Sequence, residues 1–386
     1  MRILFTSTEG SGHFHPLVPF IDACTRRGDD VLVLVPPKLE ATVAARPQPY
    51  RIGGAPPAAE TAALWERFPK VSRAEASVIA NRELFGRLFT AALLPAVEQA
   101  CQEWRPDLVL HDPCEYASVV AAERLGIAHA QVAISQAEAE SGSLRIAAPA
   151  LEPYGGRIVE RLRETPYLTR FPASLDPSPY PLTHRFREAA EVAAPRERPA
   201  RWGGDGRLPL VYLSFGTVAG GLPVGAAACR AALAAVDGLP VRVLLTLGHA
   251  AEAAELGPIP ANVQVEGWIP QAEVLSEAAL VLCHGGSGTT FGALAAGVPL
   301  VVVPLFADQP ANGRLVQAAG AGLVVTPTGG EPGAMGVPGP EDVPRIRESV
   351  QAVLADPGYR EAAQRLAQEM RATPSVDELL DGLLAR

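Results

Sequence analysis

Three short stretches carry residues whose types and spacing could do chemistry. The first is Glu9-Gly10-Ser11-Gly12-His13-Phe14-His15-Pro16. Glycines let the backbone turn sharply and approach a ligand closely. Pro16 suits the first turn of a helix, so a helix is expected from Pro16–Leu17, with His13 just before it. The amides of Ser11 and Gly12 are then candidates to face an anion, and the imidazole is a candidate general base. A single histidine after a glycine-rich turn is equally compatible with a packing role. A metal pair of His13 and His15 lacks a third ligand in the local sequence.

The second stretch, Asp107-Leu108-Val109-Leu110-His111-Asp112-Pro113, is an apolar strand ending in an acid. A carboxylate at a strand's carboxyl end can accept a hydrogen bond from a neighbouring imidazole, fixing its tautomer and stabilising its protonated form. Asp112 can also cap the helix that follows, since aspartate is a preferred N-cap. Successive strand residues face opposite ways, so only one of His111 and Asp112 can point at such a partner, and Asp112 is the expected one.

The third stretch is the most specific. Gly267-Trp268-Ile269-Pro270-Gln271 precedes an apolar run, then His284-Gly285-Gly286-Ser287-Gly288-Thr289-Thr290, then Pro304-Leu305-Phe306-Ala307-Asp308-Gln309. Glycines followed by threonine at a helix start present free amides, a favourable dipole and hydroxyls to an anion. His284 adds a donor. The Gly-Lys-Ser/Thr ending of a Walker loop is missing. Trp268 offers a flat face for stacking a base, or is a core aromatic.

These loops need a scaffold, and the chain writes one. Apolar runs at Ile3–Ser7, Val31–Val35, Asp107–His111 and Ala128–Val132 alternate with helical periodicity near 17–27, 72–101 and 114–125. The grammar restarts with strands at Leu210–Ser214, Val241–Thr246, Val263–Glu266, Ala279–Cys283, Leu300–Pro304 and Leu323–Val325, and helices near 224–236, 288–296, 311–319 and 343–354. This predicts an α/β protein of two doubly wound, Rossmann-like domains facing across a cleft, with ligands beyond the carboxyl ends of the strands. Proline and glycine crowd 171–209, so the linker is placed at 196–208 between an N-terminal domain (1–195) and a C-terminal one (209–365). Residues 366–386 are expected as a helical tail packing back on the first domain. Pro327–Pro340 is expected as a long surface loop.

Composition removes several function classes. The 386 residues are 48% hydrophobic, enough to bury sizeable cores, and the net charge of −9 argues against nucleic acid as a partner. No apolar run is long enough for a membrane span, and the N-terminal apolar stretch is too short for a signal peptide, so a cytoplasmic protein without stable membrane insertion is expected. Five cysteines without a Cys-x-x-Cys pair support neither structural zinc nor a disulfide framework.

The span Val265–Asn312 resembles the nucleotide-sugar signature of family 1 glycosyltransferases with the GT-B fold, closest in style to the bacterial enzymes that decorate macrolides and enediynes. Gly12-His13-x-x-Pro16 and Leu213-Ser214-Phe215-Gly216-Thr217 fit the same family, so the resemblance covers nearly the whole chain. It implies that His13 deprotonates the acceptor hydroxyl and Asp112 orients it. It implies that Trp268 and the Ile269 backbone hold the base, and that Gln271 approaches the ribose. His284, Gly286, Ser287, Gly288 and Thr289, with Ser214 and Thr217, would meet the diphosphate, and Asp308 and Gln309 the sugar hydroxyls. Gly288 stands where the plant signature has asparagine, so only its amide can contribute.

The implied reaction is inverting transfer of a hexose or deoxyhexose from a UDP- or dTDP-sugar to a hydroxyl of an apolar small molecule. No Asp-x-Asp motif occurs, so no metal and no cofactor are expected. A monomer or homodimer is expected. The alternatives are a nucleotide-sugar epimerase, a lipid-acceptor transferase, or a non-catalytic nucleotide-sugar-binding activator. A Rossmann dehydrogenase would want Gly-x-Gly-x-x-Gly, and Gly10-Ser11-Gly12 supplies only half of it.

Overall fold

The structure is a computed structural model that describes residues 1–188, 202, 206–216, 223–247, 256–267, 269–329 and 336–384. The chain divides into two units, Met1–Ala189 with Thr373–Arg386, and Ala190–Ala372. Each is built on its own parallel sheet.

In the first unit the strands are β1 (Arg2–Thr6), β2 (Asp30–Val35), β3 (Tyr50–Ile52), β4 (Leu108–His111), β5 (Ala128–Val132), β6 (Tyr167–Thr169) and β7 (Thr183–Arg185). They run in the order β3-β2-β1-β4-β5-β6-β7, all parallel. The central strands carry near-continuous aliphatic runs because helices cover both faces. Ile3, Phe5, Val33 and Leu110 pack on one side, against Phe14, Phe20 and Ile21. Leu4, Leu34 and Val109 pack on the other, against Leu88, Phe89, Leu93 and Val97. Removing each such side chain from water contributes roughly 1.5–3 kcal/mol.

The second unit has β8 (Leu210–Ser214), β9 (Arg242–Thr246), β10 (Val263–Glu266), β11 (Ala278–Cys283), β12 (Leu300–Val302) and β13 (Gly322–Val324). Their order is β10-β9-β8-β11-β12-β13, again all parallel. In both sheets the order reverses beside the first strand, where a doubly wound sheet exposes its ligand loops. The short β3, β6, β7 and β13 lie at or beside sheet edges.

Three boundaries differ from those expected. The break between units falls at 189/190, and Trp202 and Leu208, inside the expected linker, lend their carbonyls to Arg242 of the second unit. The rest of 196–205 lies outside the described residues. The C-terminal return begins at 373, not 366. Pro357–Arg371 is one helix whose apolar stripe of Ala362, Ala363, Leu366, Ala367 and Met370 is buried within the second unit. From Thr373 on the chain joins the first unit: the Pro374 carbonyl accepts the Arg187 amide, and the helix Val376–Leu384 adds Val376, Leu379 and Leu380 to its core and an Arg26–Asp377 pair at 2.9 Å. Third, the helix expected from Cys114 starts at Ala117. Among the described residues no helix is long and apolar enough to cross a membrane.

Candidate active site

The first site grows from the pairing of β1 with β4. Thr6 lies opposite His111, so the loops after both strands leave the same sheet edge side by side. Gly10, at φ 115°, swings the first loop into a short helical turn, Ser11–Phe14, and its carbonyl accepts the amides of His13 and Phe14. His13 therefore sits inside a helical turn that precedes Pro16, not just before a helix. Ser11 is half-buried and Gly12 exposed beside it.

His13 Nδ1 lies 3.1 Å from Asp112 Oδ1. Asp112 is fully buried and its carboxylate also accepts from the Cys114 amide at 2.7 Å on Oδ1, and from the Thr8 amide at 2.7 Å and hydroxyl at 3.2 Å on Oδ2. Burial alone would raise its pKa. The His13 ring and the two amides outweigh that and hold it below the ordinary aspartate value, so the carboxylate stays ionised. This geometry gives Nδ1 the proton and leaves Nε2 with a lone pair, the arrangement a general base requires. The helix cap that Asp112 might have supplied comes instead from Glu115, which accepts the Ala117 and Ser118 amides.

His111 points away from the dyad. Its Nδ1 lies 2.9 Å from the Asp112 carbonyl and its Nε2 3.4 Å from His129 Nδ1. Burial pushes both rings down to about 4, so they are neutral at physiological pH. Cys114 places a third metal-ligating atom within 4.8 Å of His13 and Asp112. Burial, with Asp112 and Glu140 nearby, pushes its thiol well above the ordinary value.

The next loop along the edge, after β5, is fixed by a residue the sequence did not single out. Glu140 is buried and its Oε1 accepts the Ile134 and Ser135 amides at 2.7 and 2.6 Å, while Oε2 accepts the Tyr167 hydroxyl at 2.6 Å. Burial raises its pKa to about 8 despite those donors. A carboxyl raised in the fold stabilises most below its unfolded pKa, and that stability is lost as pH rises through 8. His111 and His129 act with the opposite sign, but only between about 4 and 6.5. Stability should therefore fall from pH 6.5 to 8.5, with Glu140 contributing up to about 1.4 kcal/mol per pH unit. Urea melts of the wild type and Glu140→Gln at both pH values check this, the variant showing the flatter dependence.

The second site lies in the second unit. Register places Cys283 beside Ser214 and Val302, so the loops after β8, β11 and β12 meet at one edge. Gly216 turns at φ 72° directly over the His284 ring, and a Cβ there would sit 2.8 Å from His284 Cε1. Gly286 precedes the helix Ser287–Ala295, whose first amides, from Ser287, Gly288 and Thr289, have no partner within the helix. Gly288 is exposed and Thr289 half-buried. Burial pulls His284 down to about 4, against Asp308 and a Ser214 backbone bond, so it offers a neutral ring.

Asp308 is tied into this loop. Its Oδ2 accepts from Ser287 Oγ at 2.7 Å and from Asn312 Nδ2 at 3.0 Å. Asn312, fully buried, also donates to the Gly285 carbonyl at 2.8 Å and to Ser287 Oγ at 3.1 Å. In the sequence Asn312 is only the end of a motif, because nothing local shows that it bridges three loop positions. Ala307, at φ 55°, holds a left-handed conformation that costs about 1–3 kcal/mol and turns Asp308 to the start of helix Gln309–Ala318. Gln309 Oε1 accepts the Leu305 and Phe306 amides, so of its side chain only the amide nitrogen can serve a sugar hydroxyl. Gln271, at the start of helix Gln271–Leu275, keeps Nε2 buried without a partner, as is His284 Nδ1. Ile269 is half-buried just before that helix. Thr217 and Trp268 lie outside the described residues.

Known proteins carry the same two units. The family models of the erythromycin biosynthesis protein CIII-like N-terminal and C-terminal domains match residues 57–164 and 230–385. The elloramycin glycosyltransferase of Streptomyces olivaceus is 30% identical over 97% of this chain and 94% of its own. The crystal structure of the glycosyltransferase SnogD from Streptomyces nogalater aligns over 100% of this chain and 99% of its own, with a TM-score of 0.74 and 26% identity. The spinosyn rhamnosyltransferase SpnG, solved with thymidine diphosphate, aligns over 100% of both chains at TM-score 0.74 and 22% identity. This chain therefore belongs to the bacterial natural-product glycosyltransferases of family 1, nucleotide-sugar-dependent enzymes with the GT-B fold.

Proposed function

We propose that the protein transfers a hexose or deoxyhexose, with inversion, from a UDP- or dTDP-sugar to a hydroxyl of an apolar natural product, in the cytoplasm and without a metal. The observation that carries this reading is the His13–Asp112 pair, an imidazole bonded to a buried carboxylate at the carboxyl edge of the first sheet. His13 Nε2 takes the acceptor proton as the oxygen attacks the anomeric carbon. The bond from that carbon to the diphosphate breaks, and the nucleoside diphosphate leaves with the electron pair. Asp112 stabilises the imidazolium that forms. Base catalysis of this kind contributes on the order of 10²–10⁴-fold.

Charge that grows on the leaving diphosphate needs donors already in place. The amides of Ser287, Gly288 and Thr289 and the neutral His284 ring are assigned to that task, with Ser214 and Thr217 from the loop after β8. Asp308 and the Gln309 amide nitrogen would hold sugar hydroxyls. Gln271 Nε2 would reach the ribose, with Trp268 and Ile269 around the base. The two orphaned atoms, on Gln271 and His284, support a polar ligand here. The thymidine diphosphate held by the spinosyn enzyme favours dTDP over UDP.

A thermal-shift screen of nucleoside diphosphates tests the donor half. A ligand at 100 times its Kd should stabilise by about 2.7 kcal/mol. We expect an upward shift with dTDP or UDP that EDTA leaves unchanged. No shift with any nucleoside diphosphate would refute the donor assignment, and a shift abolished by EDTA would refute metal independence.

A further inference from the structure

The chain does something unusual beside His13. Residues Ile79–Phe89 form eleven residues of π-helix, continuing from the helix Arg73–Val78 and into the helix Thr90–Trp104. Such winding is rare, is seen mostly as single turns, and clusters at functional sites. Each widened turn takes an extra residue, which moves every later side chain around the axis by about 100° relative to an α-helix. The segment is held in that form by close packing. Gly86 lies against the helix Ala137–Leu151, where a Cβ would come 3.1 Å from Ala150 Cβ, 3.4 Å from Ala147 Cβ and 3.0 Å from the Asn81 carbonyl. Thr90 Oγ1 donates to the Phe85 carbonyl at 3.0 Å.

The residue this winding aims is Phe85. Its ring centroid is 5.2 Å from that of His13, tilted by 49°, and it leans on Phe89 at 6.1 Å. Phe89, Leu84 and Leu88 are buried in the core, but Phe85 is only half-buried. On another side of the imidazole, Gly10 leaves room only for ordinary contact with His13 Cδ2, at 3.6 Å from a built Cβ. His13 is thus held at one edge by Asp112, bounded by Gly10 and faced by Phe85. Its side chain keeps 19% exposure.

We propose that Phe85 is a positioning and specificity residue for the acceptor: it holds the His13 ring in line with Asp112 and offers its open face to the acceptor atoms around the reacting hydroxyl. The occupant that fits is a flat, apolar molecule bearing the hydroxyl on or beside a ring. Such a molecule can stack on the phenyl group and still reach Nε2. The inference rests on the reading of His13 as the base.

The test compares the wild type, Phe85→Leu, Phe85→Ala and His13→Ala, using dTDP- or UDP-sugar with a polycyclic phenol and with a small non-aromatic alcohol as acceptors. Loss of the ring should lower kcat/KM for the phenol on the order of 10- to 100-fold, since small misplacements of a base carry costs of that size. The phenol should suffer at least fivefold more than the alcohol. Phe85→Leu, which preserves most of the volume, should recover kcat but not the preference for the phenol. Nucleoside diphosphate Kd and melting temperature should stay near wild type in the leucine variant. Equal losses on both acceptors would make Phe85 a core residue and overturn the proposal, as would wild-type kinetics in both Phe85 variants. If His13→Ala itself kept wild-type activity, the reading of the base would fall first, and this inference with it.

Discussion

Replacing His13 by alanine is expected to lower kcat for hydroxyl transfer by about 10²–10⁴-fold while leaving nucleoside diphosphate affinity within about twofold. The split follows from where the residue sits. His13 belongs to the first unit, held by Gly10 and Asp112, whereas every residue assigned to the diphosphate belongs to the second. The ring is partly open, and its removal leaves buried Asp112 the Thr8 and Cys114 donors, so the fold should tolerate the change with a lowered melting temperature. Steady-state kinetics with calorimetry of dTDP or UDP binding measures both quantities. Parallel loss of turnover and nucleotide affinity would make His13 a binding or structural residue.

Asp112→Asn should cost nearly as much turnover, and for a different reason. The asparagine can keep its oxygen towards His13 and Cys114, but its NH2 then faces the Thr8 amide, which loses its acceptor. The opposite orientation sets the NH2 against the His13 and Cys114 donors. In either case the imidazolium loses its counter-charge. By analogy with the orienting aspartate of hydrolase triads, kcat should fall by at least about 10²-fold and by no more than the His13→Ala loss. A buried amide without an acceptor costs about 1–3 kcal/mol, so a lower melting temperature should accompany the kinetic loss. An unchanged kcat would show that His13 needs no carboxylate and would remove the dyad from the mechanism.

The sequence made the inner strands legible because a parallel sheet covered on both faces demands near-continuous apolar runs, and β1, β2, β4, β8, β9 and β11 have them, while β5 keeps an apolar outline around His129 and Gln131. It hid β6 and β7. Tyr167–Thr169 and Thr183–Arg185 are three residues each, beside Pro166, Pro172 and Pro181, and proline density there reads as loop. Edge strands tolerate what central strands cannot. His13 and Asp112 could be paired on paper because both follow apolar runs. Glu140, Asn312 and Phe85 could not, since their roles depend on side-chain direction and on a π-winding that no apolar period announces. The expected helix start at Pro16 failed because the Gly10 carbonyl gathers the His13 and Phe14 amides first.

We propose that one chain couples proton removal at His13 to departure of a nucleoside diphosphate. The most direct test of this coupling counts nucleoside diphosphate released and glycoside formed in the same reaction, over a panel of phenolic and alcoholic acceptors with EDTA present. One glycoside per nucleotide is expected, with inverted anomeric configuration and both products nearly absent in His13→Ala. Nucleotide release without glycoside, or equal yields from the His13→Ala protein, would contradict the coupling.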